Sequence, residues 1–212
     1  TVENVNAVAV NISTTSLAQG LGGIVGTISG TESSKFEECK VFAGRISATS
    51  NQNSALSGLA GKVESPSVFK KCAVEKSIVA AKNNSQYIGG IAGYLSETAK
   101  VSDCYVQGFQ CADSTSTMYL GGLVGYVTYI TEEPSTISSC YVKDANLSGK
   151  SYLGNIIGMC ETEYSSYSAL WHLNSTISLG QGGTLYSGNG DIKGTEESFV
   201  KGEAAWSLNT AN

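Results

Sequence analysis

Apolar positions along this chain fall into two short blocks that alternate and return. The first block reads apolar, small, small, apolar, apolar, glycine. It occurs as Leu21-Gly22-Gly23-Ile24-Val25-Gly26, Leu56-Ser57-Gly58-Leu59-Ala60-Gly61, Ile88-Gly89-Gly90-Ile91-Ala92-Gly93, Leu120-Gly121-Gly122-Leu123-Val124-Gly125 and Leu153-Gly154-Asn155-Ile156-Ile157-Gly158. Its last glycines are 35, 32, 32 and 33 residues apart. The second block is anchored on Cys39, Cys72, Cys104 and Cys140. Three residues before each cysteine stands Phe36, Phe69, Val101 or Ile137; two after it stands Val41, Val74, Val106 or Val142; seven after it stands Ile46, Val79, Cys111 or Leu147. Tyr167, Leu170, His172 and Ile177 keep the same frame in a fifth copy, and Val2, Val5, Ala7 and Ile12 keep it at the start.

A fixed period of this size marks a repeat architecture. The apolar positions around each cysteine alternate by two, the spacing of one face of a strand, and the segments are short, β-branched and bounded by Gly, Ser, Asn and Asp. Two amphipathic helices per repeat would need longer stretches than the chain offers. The gap between the blocks varies from 11 to 15 residues, as expected of loops between aligned strands. The pattern predicts an all-β fold: a parallel β-solenoid of about five coils over residues 1–178, right-handed by the general preference of parallel crossovers. The chain reads as entering partway through a coil, as a piece of a longer array would. Residues 179–212 break the pattern and are expected to form a C-terminal cap. Gly188-Asn189-Gly190 reads as a hairpin turn between Thr184–Ser187 and Asp191–Lys193. Thr195 before Glu196 and Glu197 reads as a short helix start, with Phe199 and Trp206 as plugs.

The Gly-Gly-Leu-Val-Gly stretch within Leu120–Gly125, followed by Ile137-Ser138-Ser139-Cys140-Tyr141-Val142, resembles the GLUG repeat, and the likeness extends over residues 1–178. GLUG repeats occur in large bacterial secreted and surface proteins, including adhesin-like proteins and IgA-protease-type metallopeptidases, where they are accessory modules. The resemblance implies a surface scaffold and no catalytic residue. The tail Ser198–Asn209 resembles a segment of Bacteroides-type exported proteins.

Composition narrows the partners. Charged residues make up 15 % and the net charge is −5; the densest positive spot is Lys70-Lys71, so no nucleic-acid partner is expected. No apolar run reaches the ~18 residues of a membrane helix, and the expectation is a chain that is not transmembrane.

Each chemically capable residue has a place in the repeat. Every cysteine occupies a position where other copies carry an apolar residue, or shares one with other cysteines, so buried thiols are expected rather than disulfides. No Cys-x-x-Cys or Cys/His cluster supports a metal. His172 replaces Val41, Val74, Val106 and Val142, with no nucleophile or orienting acid in the repeat. The four aspartates, Asp103, Asp113, Asp144 and Asp191, share no position, which speaks against the paired acids of a glycan hydrolase. The expectation is no enzyme, no cofactor and no metal.

Aromatics are the remaining candidates. Tyr105, Tyr141 and Trp171 follow the cysteine position, so alternation points them away from the coil. Tyr87, Tyr119 and Tyr152 form a second column and Tyr94 with Tyr126 a third. As exposed columns they would offer a ligand surface to a glycan or a host protein; the competing reading is mutual stacking that stabilises adjacent strands. The sequence therefore points to a non-catalytic repeat module of a bacterial cell-surface or secreted protein, an adhesive scaffold or spacer. The alternative is an accessory module of an exported protease or glycan-active enzyme whose catalytic domain lies outside this chain.

Overall fold

The structure, a computed structural model, describes residues 1–16, 18–49, 55–81, 87–96, 98–111, 119–128, 135–149, 152–160, 166–179, 184–185 and 191–193. These residues wind into an all-β parallel solenoid of about four turns, with no helix among them. Each turn lays one short strand on each successive side. One large sheet of 11 strands bends into two arms. Ser34–Glu37, Ser67–Lys70 and Lys100–Ser102 belong to the first arm, and Lys40–Phe42, Ala73–Glu75 and Tyr105–Gln107 to the second. A second sheet contains Arg45–Ala48 and Ile78–Ala81, a third Tyr87–Gly89 and Tyr119–Gly121, and a fourth Ala92–Leu95 and Val124–Val127.

Parallel register aligns the positions that repeat in the sequence. Val2, Phe36, Phe69, Val101, Ile137 and Tyr167 form one column. Ala7, Val41, Val74, Val106, Val142 and His172 form another. Ile28, Val63, Leu95, Val127 and Cys160 form a third. Nearly all of these side chains from the second coil to the fourth are fully buried in one continuous core. Each buried Val, Leu, Ile or Phe contributes roughly 1.5–3 kcal/mol over leaving it in water. Phe36 and Phe69 stack with ring centroids 4.9 Å apart.

The second glycine of the Gly-Gly pair is required by the valine column opposite. A Cβ on Gly58 would lie 2.4 Å from Val74 Cγ1 and 2.8 Å from the Gly90 carbonyl; on Gly90 it would lie 2.6 Å from Val106 Cγ2. The thickness of the coil is thus set by valine against bare backbone.

The bends in the large sheet and after it use left-handed backbone. Asn4, Glu38, Lys71, Asp103 and Ser139 have φ between 52 and 55°, one per coil, and Ala9, Ala43, Lys76, Asp144 and Asn174 have φ between 48 and 53°. Gly108, at φ 64°, fills the latter position in its coil. Such a conformation costs a residue with a side chain about 1 kcal/mol. It persists because the ladder of hydrogen bonds runs straight through the bends. The N–H of Glu38 donates to the carbonyl of Lys70, that of Lys71 to Ser102, that of Ala43 to Glu75 and that of Lys76 to Gln107, at 2.8–3.1 Å.

Two expectations change. The turn count is about four rather than five, because the end repeats contribute part turns: the large sheet and the fourth sheet run out at different coils. The segments on either side of Gly188-Asn189-Gly190 do not form a hairpin. Thr184–Leu185 pairs in parallel with Tyr152 and Leu153, and Asp191–Lys193 pairs in parallel with Leu170–His172, so the two lie in different sheets and prolong the solenoid beyond Ser178. An Asn-Gly turn chemistry favours a hairpin locally, but the unpaired edges of the last coil offer ready parallel partners. The expected helix at Thr195, with Phe199 and Trp206, lies outside the described residues.

Candidate functional site

The second and third aromatic columns form a single surface. Tyr87, Tyr119 and Tyr152 are in register on the third sheet, and Lys62, Tyr94, Tyr126 and Met159 are in register on the fourth. Only Gly90 and Ile91 separate Tyr87–Gly89 from Ala92–Leu95, and the final glycines of the motif let the two backbones approach. A Cβ on Gly93 would stand 2.7 Å from the amide nitrogen of Leu56, and one on Gly125 2.6 Å from that of Ile88. With the strands this close, the rings of both columns interlock.

Tyr87 stacks on Tyr119 at 5.6 Å and Tyr119 on Tyr152 at 5.3 Å. Tyr94 meets Tyr87 edge-on at 5.1 Å, and Tyr126 lies 5.2 Å from Tyr87 and 4.8 Å from Tyr119. Such pairs contribute about 0.5–1.5 kcal/mol each beyond their buried area. Lys62 Nζ sits 5.6 Å from the centre of the Tyr94 ring and also pairs with Glu64 at 2.7 Å. Tyr152 is 37 % exposed, and the other four are half-buried. Stacking consumes ring faces, so the cluster leaves less ring face open than separate tyrosines would. The column positions of these tyrosines are readable in the sequence. So is the place of Lys62, one repeat before Tyr94; the merger of the two columns depends on the close backbone approach and is not.

The first aromatic column requires correction. Tyr105 and Tyr141 are 4 % and 0 % exposed and are not a ligand surface. They point away from the main core, as alternation demands, yet bury one another: the rings stack at 5.1 Å with 7° between planes. Ala73 and Leu173 complete this second cluster, and Trp171, half-buried, packs against it. The Tyr105 hydroxyl donates to the Glu75 carboxylate, which Lys40 Nζ also meets at 2.7 Å. Burial, and then the Glu75 carboxylate beside it, hold the Tyr105 phenol well above its ordinary range; burial does the same for Tyr141, with a smaller push from Glu75. The column is therefore a covered structural stack, and the mutual-stacking reading describes it.

The other chemically capable groups are fixed in place by the fold. All six cysteines are buried as thiols. Those that follow the first left-handed bend donate to two carbonyls each. Cys104 Sγ donates to Ser102 at 3.2 Å and to Phe69 in the neighbouring coil at 3.6 Å, and Cys140 Sγ to Ser138 at 3.1 Å and to Val101 at 3.8 Å. Burial pushes the Cys39 and Cys104 thiols up, and the adjoining Cys104 thiol followed by burial pushes Cys72 up. A thiol held in its protonated form is a poor nucleophile and a poor metal ligand. Among the described residues no group of three or more His, Cys, Asp or Glu is placed to hold a metal ion. His172 stands in register with Val142 and is half-buried. Asp103 and Asp144 occupy left-handed bends, a role aspartate suits. Asp113 lies outside the described residues. No helix among the described residues is long and apolar enough to cross a membrane.

Residues 116–148 match the model of the GLUG motif. That stretch is one period of the repeat, from just before Tyr119–Gly121 to the strand Asn146–Gly149, and it includes Cys140, Tyr141 and two members of the tyrosine surface. No curated protein and no solved structure matches the chain.

Proposed function

We propose that this chain is a non-catalytic repeat module of a bacterial cell-surface or secreted protein, which presents its flank to a host protein or a glycan as an adhesive scaffold or holds other modules apart. The observation that carries this reading is the occupation of ladder positions by the groups an enzyme would use: the cysteines in core columns, His172 in the valine column, Asp103 and Asp144 in bends. The GLUG match supports a repeat-module role. Tyr87, Tyr94, Tyr119, Tyr126 and Tyr152 are then the surface offered to a ligand.

A screen of the chain against arrayed glycans and extracellular host proteins tests this. Binding that weakens at least tenfold in Tyr119→Ala/Tyr152→Ala, with the far-ultraviolet spectrum unchanged, is the expected result. Binding that survives the double variant removes the tyrosine surface as the site. Depolymerisation of any polysaccharide by the purified chain overturns the non-enzyme reading. The second reading, an accessory module of an exported protease or glycan-active enzyme, is favoured by the same GLUG match. It predicts that deleting the module from the enzyme impairs action on bulky substrates and spares small soluble ones.

A further inference from the structure

One side chain of this protein already sits on the tyrosine cluster as a cation. Lys62 stands in register with Tyr94 of the next coil and holds its ammonium 5.6 Å from the centre of that ring. The Glu64 carboxylate meets the same ammonium at 2.7 Å. A positive group over a tyrosine ring is attracted by the negative charge of the ring face. At this end of the cluster, then, a cation is held by a ring and by a carboxylate.

The other end has the ring without the cation. Tyr119 has a ring on each side, Tyr87 at 5.6 Å and Tyr152 at 5.3 Å. Among the described residues the ring contact of Tyr152 is with Tyr119 alone, and its register partner in the next coil is Thr184 rather than another aromatic residue. At 37 % exposed, Tyr152 is the most open of the five tyrosines. Charge changes sign in the same direction along the chain. Residues 55–96, which include Lys62, hold five lysines and two glutamates, whereas residues 119–164, which include Tyr119, Tyr126 and Tyr152, hold five acidic residues and two lysines. A sugar ring lies across a broad open aromatic face, which interlocked rings do not offer. An ammonium or guanidinium needs one ring face and a field of opposite sign, and the Tyr152 end supplies both.

Resting on the reading of the tyrosine surface as the ligand site, we propose that its ligand is a basic polypeptide segment, with a lysine or arginine side chain seated on the face of Tyr152 turned from Tyr119, as Lys62 is seated on Tyr94. The excess of acidic residues draws such a segment in, an attraction that weakens as salt is added. The ring decides where its cation comes to rest.

Nuclear magnetic resonance titration of the 212-residue chain with a short peptide of alternating lysine and glycine tests this, beside the same peptide acetylated on every lysine. The lysine peptide should shift the amides of Tyr152 and Leu153 and leave those of Tyr105 and Val106 in place; the acetylated peptide should shift neither. Tyr152→Leu should weaken binding about fivefold, whereas Tyr152→Phe, which keeps the ring face, should hold it within about 1.5-fold. In Lys62→Ala the Tyr94 ring loses its own cation, and the lysine peptide should then shift Tyr94 and Leu95 as well, a gain that misfolding cannot produce. No response to the lysine peptide, an equal response to the acetylated one, or an affinity indifferent to Tyr152→Leu each overturn the proposal. If a glycan or a non-basic protein nevertheless binds through Tyr119 and Tyr152, only the cationic ligand is refuted; if nothing binds there, the ligand site is refuted with it.

Discussion

Substituting Gly58 and Val74 separately and together tests whether valine against bare backbone sets the thickness of the coil. The Cβ of Gly58→Ala would fall 2.4 Å from Val74 Cγ1 and 2.8 Å from the Gly90 carbonyl oxygen. Both distances lie below any real contact, and the oxygen belongs to backbone in the next coil. Overpacking of this kind costs about 1–3 kcal/mol; with a backbone atom on one side the expected cost is about 2–3 kcal/mol. Val74→Ala removes two methyl groups from a side chain that is 0 % exposed. That loses about 1.6 kcal/mol of transfer energy plus a cavity contribution, about 2–3 kcal/mol in all. In the double variant the new methyl enters the space the valine vacates. The two changes should then fall short of additivity by about 1–2 kcal/mol, within the range of directly contacting pairs. Chemical denaturation followed by circular dichroism measures the three differences, provided the denaturant dependence is the same in all four proteins. Additivity within about 0.5 kcal/mol would mean that Gly58 and Val74 do not face each other, and the argument for the glycine column would fall with it.

Other outcomes follow from the bends, the thiols and the covered tyrosines. Gly108 has φ 64°, and a Cβ there would meet Lys76 at 3.6 Å, an ordinary contact without a clash, so Gly108→Ala should cost about 1 kcal/mol from backbone strain alone, read as a lowered denaturation midpoint. Glu75→Gln should cost about 1–2 kcal/mol, because it removes the charged acceptor of the Tyr105 hydroxyl and the partner of Lys40; an unchanged midpoint would show that the network contributes nothing. The folded protein raises the Cys39, Cys72, Cys104, Tyr105 and Tyr141 groups from ordinary values of 9.0 and 10.0. Raised values favour the neutral forms, so their contribution to stability is complete below about pH 9 and is lost as pH climbs beyond it. Melting temperature should fall steeply between pH 9 and 11, and a flat profile would refute the burial of these groups. At pH 7 a thiol-specific reagent should find no reactive cysteine until denaturant is added.

Most of the fold can be read from periodicity. Residues spaced about 33 apart, such as Phe36, Phe69, Val101 and Ile137, are adjacent in space because parallel stacking turns sequence period into register. The bends cannot be read so directly. Glu38, Lys71, Asp103 and Ser139 have little in common as residue types, and left-handed backbone there is imposed by the ladder of hydrogen bonds from coil to coil. Gly108, Asp144 and Asn174, falling in one position, were the available signal for the second bend. For the candidate site, alternation places Tyr105 and Tyr141 on the outer side correctly but says nothing of what covers them. Outward from the coil and open to solvent are separate properties, and Ala73, Leu173 and the paired rings decide the second.

The stacking of the strands also bears on what such a module is good for mechanically. One repeat of about 33 residues advances the solenoid by about 4.8 Å, the separation of neighbouring strands. The same residues stretched out would reach roughly 110 Å. An extended linker would therefore give about twentyfold more distance per residue. What each added coil supplies instead is breadth: another strand on every side and another increment of stiff flank. Added coils therefore enlarge a face far more than they extend a reach, which under the proposed reading favours the adhesive role over the spacer.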